Sequence, residues 1–212
     1  VTGEAEPATC DAILRGKLRV WQPRRGHRVS LDALFLADFA ARAGRLGRVL
    51  DLGCGVGVVA LALLAGDPAA TAVGVELQAE LAELARRNLG ENHVEGRLEV
   101  VEADLRSPLS LGPFDTVVAN PPFFRGRTPA RAGRALARHE LTCTLTDVVA
   151  AARRHLAPRG RLALVYPAER LHDLLADLAA AALAPRALRF VHSFVDGRAR
   201  RGVDEDAPLI VH

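Results

Sequence analysis

The 212-residue chain has no methionine, a single lysine (Lys17), one tryptophan and one tyrosine. Its three cysteines, Cys10, Cys54 and Cys143, are far apart and odd in number. That excludes a disulfide framework and a cysteine-rich metal cluster, and predicts a metal-free protein of a reducing compartment, the cytoplasm. No long uncharged apolar run occurs, so no transmembrane helix and no membrane partner are expected. The first residues lack the charged-then-apolar order of a secretory leader. What is present is a globular composition, 50% hydrophobic and 25% charged, with a formal net charge of +3 supplied almost wholly by arginine. The length suits one domain, 1–212, with residues 1–29 as an N-terminal extension and 30–212 as the core.

One stretch organises the rest. Val49-Leu50-Asp51-Leu52 reads as a short buried strand, Gly53, Gly55 and Gly57 follow at once with Cys54 between the first two, and an apolar helix starts at Val58. Strand, glycine turn and helix bring backbone N–H groups and a helix N-terminus to a ligand. The G-x-G-x-G spacing is not the G-x-G-x-x-G dinucleotide fingerprint, which disfavours an NAD-dependent oxidoreductase. With Asp51 two residues before the first glycine, the stretch resembles the first motif of class I S-adenosylmethionine (SAM) methyltransferases. A tight turn without a ligand is the alternative reading of these residues taken alone.

Further strands are expected at Thr71–Glu76, Leu98–Asp104, Phe114–Ala119 and Leu162–Tyr166, separated by helical segments, with final strands at Leu188–Phe194 and Pro208–Val211. The alternation predicts an α/β, Rossmann-like fold with a mostly parallel seven-stranded sheet covered by helices on both faces. The first eleven residues read as frayed. Leu18–Gln22 and His27–Val29 read as a basic hairpin turning at Pro23-Arg24-Arg25-Gly26. Ser30 reads as the N-cap of the next helix with Asp32 in its first turn, either as capping alone or as a cofactor contact.

In such sheets ligands sit at the carboxyl ends of the strands. That rule gathers Asp51 with its glycines, Glu76, Asp104 and Asn120-Pro121-Pro122-Phe123 on one rim. Glu76 is placed to accept the hydroxyls of a ribose. Asp104 is placed either to accept an adenine amino group or to cap the following turn. Asn-Pro-Pro-Phe resembles the N-P-P-[YF] motif of enzymes that methylate an amino nitrogen in a planar system. The lone pair of such a nitrogen is delocalised. The Asn120 side-chain oxygen and the Pro121 carbonyl can each accept one of its N–H bonds and draw it towards tetrahedral geometry. Pro121 and Pro122 stiffen the backbone that holds these acceptors. Phe123 offers a ring face for stacking.

Beyond these two motifs, three stretches resemble the bacterial family that methylates N6 of adenine 37 in valine tRNA. They are the basic hairpin running into Arg28-Val29-Ser30-Leu31-Asp32-Ala33, the Val75-Glu76-Leu77 segment, and Arg138-His139-Glu140. The resemblance implies SAM as cofactor and S-adenosylhomocysteine (SAH) as product. It implies that Ser30 and Asp32 close over the methionine end, and it adds Leu77 and Leu105 to the cofactor contacts. Asn-Pro-Pro-Phe is also common in enzymes that methylate N2 of guanine in ribosomal RNA, and the general motif occurs in DNA-adenine and glutamine methyltransferases. A SAM-binding RNA module without turnover is a further alternative. Charge favours nucleic acid, tRNA by the resemblance. Residues 11–28 carry six basic groups, including Arg19, Arg24 and Arg25, against one acid, and residues 120–138 carry five, including Arg125, Arg127 and Arg131, against none.

Overall fold

The computed structural model describes residues 8–26, 28–121, 143–192, 194–195, 198–199 and 208–211. A hairpin of β1 (Ala8–Ile13) and β2 (Leu18–Pro23) precedes α1 (Leu31–Arg42). Then come β3 (Arg48–Leu52), α2 (Val58–Gly66), β4 (Thr71–Glu76), α3 (Ala79–Glu91), β5 (Leu98–Glu102) and β6 (Phe114–Ala119). After α4 (Leu145–His155), β7 (Leu156–Pro167) and α5 (Leu171–Ala180), the described chain ends with β8 (Leu188–Phe190), a small antiparallel pair of β9 (Phe194–Val195) and β10 (Arg198–Ala199), and β11 (Pro208–Val211).

Seven strands form the main sheet in the order β5-β4-β3-β6-β7-β11-β8. The first five are parallel, and β11 runs antiparallel between β7 and β8. The chain winds outwards from β3 to β5 and then returns to place β6 on the other side of β3. The order therefore reverses between β3 and β6, the position where such sheets open a crevice.

Strict alternation along the strands builds two cores. Val49, Ala72, Val118, Ala163 and Val165 face α1, α2 and α3, whereas Leu50, Leu52, Val73, Val75, Val117 and Leu164 face α4 and α5. Helix α2 is buried nearly all round, as its uniformly apolar sequence requires. A capping box starts α4. The Thr144 hydroxyl accepts from the Asp147 amide at 3.2 Å and the Asp147 carboxylate accepts from the Thr144 amide at 2.8 Å.

The N-terminal hairpin differs from the expected one. Strand β2 pairs with residues 8–13, most of which fall in the stretch expected to be frayed (1–11), and not with 27–29. The turn runs over Leu14, Arg15 and Gly16, all in left-handed conformation (φ 49°, 58° and 82°), a region that only the glycine favours. Residues 24–26 form a bend, and His27 lies outside the described residues.

Candidate functional site

The turn after β3 is built on left-handed backbone. Gly53, Gly55 and Gly57 have φ of 70°, 56° and 82°, a region costly to any residue with a Cβ. The Gly53 and Cys54 amides both donate to the Val75 carbonyl, at 2.9 and 3.0 Å, so the turn is tied to β4. Cys54 turns its side chain inwards. Its sulfur would lie 2.7 Å from a Cβ added at Gly74, so the glycine of β4 makes room for the turn.

Two acids brace this turn from below. Asp51 is 1% exposed and accepts the Ala60 amide at 3.2 Å, which joins β3 to the first turn of α2. Burial pushes its carboxyl up to about 7; the Ala60 N–H opposes this and the nearby Glu76 charge adds to it. Glu76 is also buried. One of its oxygens accepts the Gly55 amide at 2.8 Å and the other the Gln78 amide at 2.9 Å. A carboxylate offers about four acceptor positions, so Glu76 can brace the turn and still receive hydroxyl donors.

The rim carries two adjoining cavities. The larger, about 360 Å³, is lined by Ser30, Asp32, Asp51, the glycine turn with Cys54, Glu76, Asn120 and Pro121. The smaller, about 120 Å³, is walled by Leu77, Asp104, Leu105, Arg106, Cys143 and Val148. Gly53, Glu76, Gln78 and Pro121 belong to both, so Glu76 stands between the larger compartment and a more enclosed, more apolar one. Asn120 and Pro121 follow directly on β6, next to the reversal point, and are half-buried.

The sequence-derived residues sort unevenly. Asp51, Gly53, Cys54, Gly55, Gly57, Glu76, Leu77, Asp104, Leu105, Asn120 and Pro121 converge on one rim; all but Gly57, which caps α2, line the cavities. Ser30 has extended N-cap geometry (φ −103°, ψ 161°), but its side chain makes no capping bond; it and Asp32 line the larger cavity. Burial raises the Asp32 carboxyl pKa. Asp104 lines the smaller cavity and also makes the capping contact. Its carboxylate accepts the Arg106 amide at 2.9 Å and pairs with the Arg106 guanidinium. Arg19 is bound to Glu91 at 2.6 Å and Arg28 to Asp11 at 2.8 Å, so the basic hairpin is partly neutralised. Arg24 and Arg25 are exposed. Pro122, Phe123, Arg125, Arg127, Arg131 and the Arg138-His139-Glu140 stretch lie outside the described residues. Among the described residues no group of three or more metal-ligating side chains comes together, and no helix is long and apolar enough to cross a membrane.

Two residues escaped the sequence reading. Gln22 is 4% exposed; its oxygen accepts the Val29 amide at 2.8 Å and its nitrogen donates to Asp11 at 2.8 Å. Asn88 is fully buried and bridges β2 to the glycine turn. The signal for Gln22 is a polar side chain at an inward position of an alternating strand, after Leu18 and Val20. For Asn88 it is an amide on the inward face of α3, in line with Ala85 and Leu89.

A parallel sheet reversing beside a glycine turn, with acids at successive strand ends, defines a Rossmann-like methyltransferase fold. The solved structure of a predicted O-methyltransferase from Agrobacterium tumefaciens superposes with a TM-score of 0.61 at 25% identity, over 85% of this chain and 79% of that one. Residues 31–180 match the methyltransferase small domain, and the chain belongs to that family. Among curated relatives, the tRNA1(Val) (adenine(37)-N6)-methyltransferase of Porphyromonas gingivalis is 36% identical over 157 residues, 69% of this chain and 61% of that protein. Its namesake from Aeromonas hydrophila is 35% identical over 150 residues, 70% and 63% of the two chains. The chain thus spans about three-fifths of the length of these relatives.

Proposed function

We propose that the protein transfers a methyl group from S-adenosylmethionine to N6 of an adenine in tRNA, leaving S-adenosylhomocysteine. The observation that carries the reading is that Asn120 and Pro121, at the end of the central strand β6, line the same cavity as the glycine turn and Glu76. The donor set fits this cofactor. Asp32, Asp51 and Glu76 place three carboxyl groups on one cavity, which suits a ligand with two cationic centres, and the smaller cavity offers Leu77 and Leu105 to a planar base. The names of the relatives supply the substrate class.

S-adenosylmethionine supplies, when bound, an electrophilic methyl group on a sulfonium. The rest is done by the chain. Glu76 receives ribose hydroxyls while holding the turn. The Asn120 side-chain oxygen and the Pro121 carbonyl accept the two N–H bonds of the target amine, so its lone pair points at the methyl group. Phe123 gives the base a face to stack on. The new N–C bond forms as the S–C bond breaks, and the cationic nitrogen then loses a proton without a strong base. Rate comes mainly from orientation. Arg24 and Arg25 after β2, with Arg19 on that strand and Arg125, Arg127 and Arg131 after the motif, meet the phosphate backbone. Residues 30–212 form the catalytic core, residues 1–29 its extension, and the free thiols suit the cytoplasm.

The test is methyl transfer from labelled SAM to separate pools of tRNA, ribosomal RNA, DNA and protein, followed by nucleoside analysis. N6-methyladenosine in tRNA is expected. N2-methylguanosine in ribosomal RNA would replace the substrate and keep the chemistry. Asn120→Ala should bind SAH as the wild type does and lose about 10²-fold or more in transfer rate; undiminished transfer would remove Asn120 from the mechanism.

A further inference from the structure

Helix α3 and its C-cap grip the edge of the N-terminal hairpin with two amides four residues apart, Asn88 in the last turn and Asn92 at the cap. The Asn88 side-chain oxygen accepts the Trp21 amide at 2.6 Å and its nitrogen donates to the Trp21 carbonyl at 2.9 Å. Asn92 repeats the pattern on Arg19, accepting its amide at 3.0 Å and donating to its carbonyl at 2.8 Å. Residues 19 and 21 of β2 point the same backbone groups outwards, and i, i+4 side chains of a helix lie on one face, so the two asparagines satisfy the open edge as a neighbouring strand would. Arg87 stacks on the Trp21 ring at 3.2 Å, and Glu91 accepts the Trp21 indole N–H at 3.0 Å.

Asn88 does one thing that Asn92 does not. Its second N–H donates to the Val56 carbonyl at 2.9 Å, inside the glycine turn. The next residue of β2, Gln22, holds the Val29 amide, and Val29, Ser30 and Asp32 form another part of the lining of the larger cavity. One buried amide therefore joins the glycine-turn wall to the strand that carries that other part. We propose that Asn88 is a positioning residue for the cofactor cavity, setting the glycine turn against the hairpin-borne wall at 28–32. The inference rests on the cofactor reading above.

Asn88→Asp is nearly isosteric and tests it. The variant keeps the acceptor for the Trp21 amide but turns both donations into contacts between a carboxylate and a carbonyl oxygen. Protonation restores one donation. The charged groups bordering the position are Arg87 and Glu91 on α3 and Arg19 on β2, while Asp51 and Glu76 lie in the cavity beyond the turn, so each affinity is divided by that of the wild type at the same pH. SAH binding to the full chain is measured by calorimetry. Asn88→Asp should bind about tenfold or more weakly at pH 8 and recover most of that loss at pH 5.5, whereas Asn92→Ala should stay within about twofold at both. Binding by Asn88→Asp within twofold of wild type at pH 8, or an equal loss at both pH values, overturns the proposal. A wild type that binds no SAH overturns the cofactor reading instead. A measurement without mutation covers a variant that fails to fold. Saturating SAH should slow hydrogen exchange at the Trp21 amide, which does not line the cavity; an unchanged rate there overturns the proposal.

Discussion

Asp51 carries the most quantitative expectation. It is 1% exposed and burial raises its pKa to about 7, against about 3.9 in an unfolded chain. Because the folded state holds the proton more tightly, it binds more protons than the unfolded state between about pH 4 and pH 7. Stability therefore falls as pH rises through that window, by up to about 1.4 kcal/mol per pH unit, and levels off above it. Integrated over the window, the ionised carboxyl costs the ligand-free protein about 4 kcal/mol at pH 8, an upper figure because local relaxation and water entry reduce it. Asp51→Asn keeps an oxygen for the Ala60 amide and removes the titration. Urea unfolding of both proteins at pH 5, 6, 7 and 8 should give a stability difference that grows in favour of the variant by about 3 kcal/mol across the series. Taking the difference cancels the shared groups that are not coupled to Asp51. With ligand the sign inverts. A cation in the cavity favours the carboxylate, so SAM should bind the wild type about fivefold more tightly at pH 7 than at pH 6 with proton release, while Asp51→Asn binds more weakly and without that slope. Unfolding curves that keep a constant separation from pH 5 to 8 would show Asp51 ionising as an ordinary surface acid, and the burial argument would fail.

The turn and the helix cap make two further expectations. Gly74→Ala should cost about 2 kcal/mol and weaken SAH binding, because its Cβ meets the Cys54 sulfur at 2.7 Å and the Cys54 Cβ at 3.1 Å. Pairing it with Cys54→Ala should return part of both losses, and strictly additive effects in that double-mutant cycle would refute the packing account. Thr144→Ala removes the capping box of α4 and should cost about 1 kcal/mol by denaturant unfolding with SAH affinity unchanged, since the cap lies outside both cavities.

The rim of the sheet was legible in the sequence because its signals are local. A glycine forced to positive φ, an acid closing an apolar strand and an Asn-Pro after another strand each announce themselves within a few residues. Parallel topology does the rest by sending every carboxyl end to the same side. The hairpin was misread for the opposite reason. Pro23-Arg24-Arg25-Gly26 has turn chemistry but only bends the chain, while the real turn runs over Leu14, Arg15 and Gly16, of which the glycine alone carries a turn signal. Nothing in Ala8–Ile13 marks it as a strand. Its pairing with β2 is fixed by tertiary partners far along the chain, 67 residues away for Trp21 and Asn88 and 73 for Arg19 and Asn92.

That distance explains why the supporting residues stayed hidden while the cavity-lining ones showed. Glu76 stands out as an acid at a strand end, and its sequence position already points to a ligand. The structure adds that its two oxygens hold the Gly55 and Gln78 amides, so the same carboxylate that is placed to receive a ligand also shapes the turn that receives it. Replacing Glu76 by Ala would then remove a ligand contact and release the turn together, and its effect could not be assigned to either. Asn88 separates the two roles. It touches the turn at Val56 and the hairpin at Trp21 but does not line either cavity, so a change there alters the shape of the cavity and leaves its chemistry in place. The asparagine, rather than the more conspicuous glutamate, is the position at which shape and contact can be measured apart.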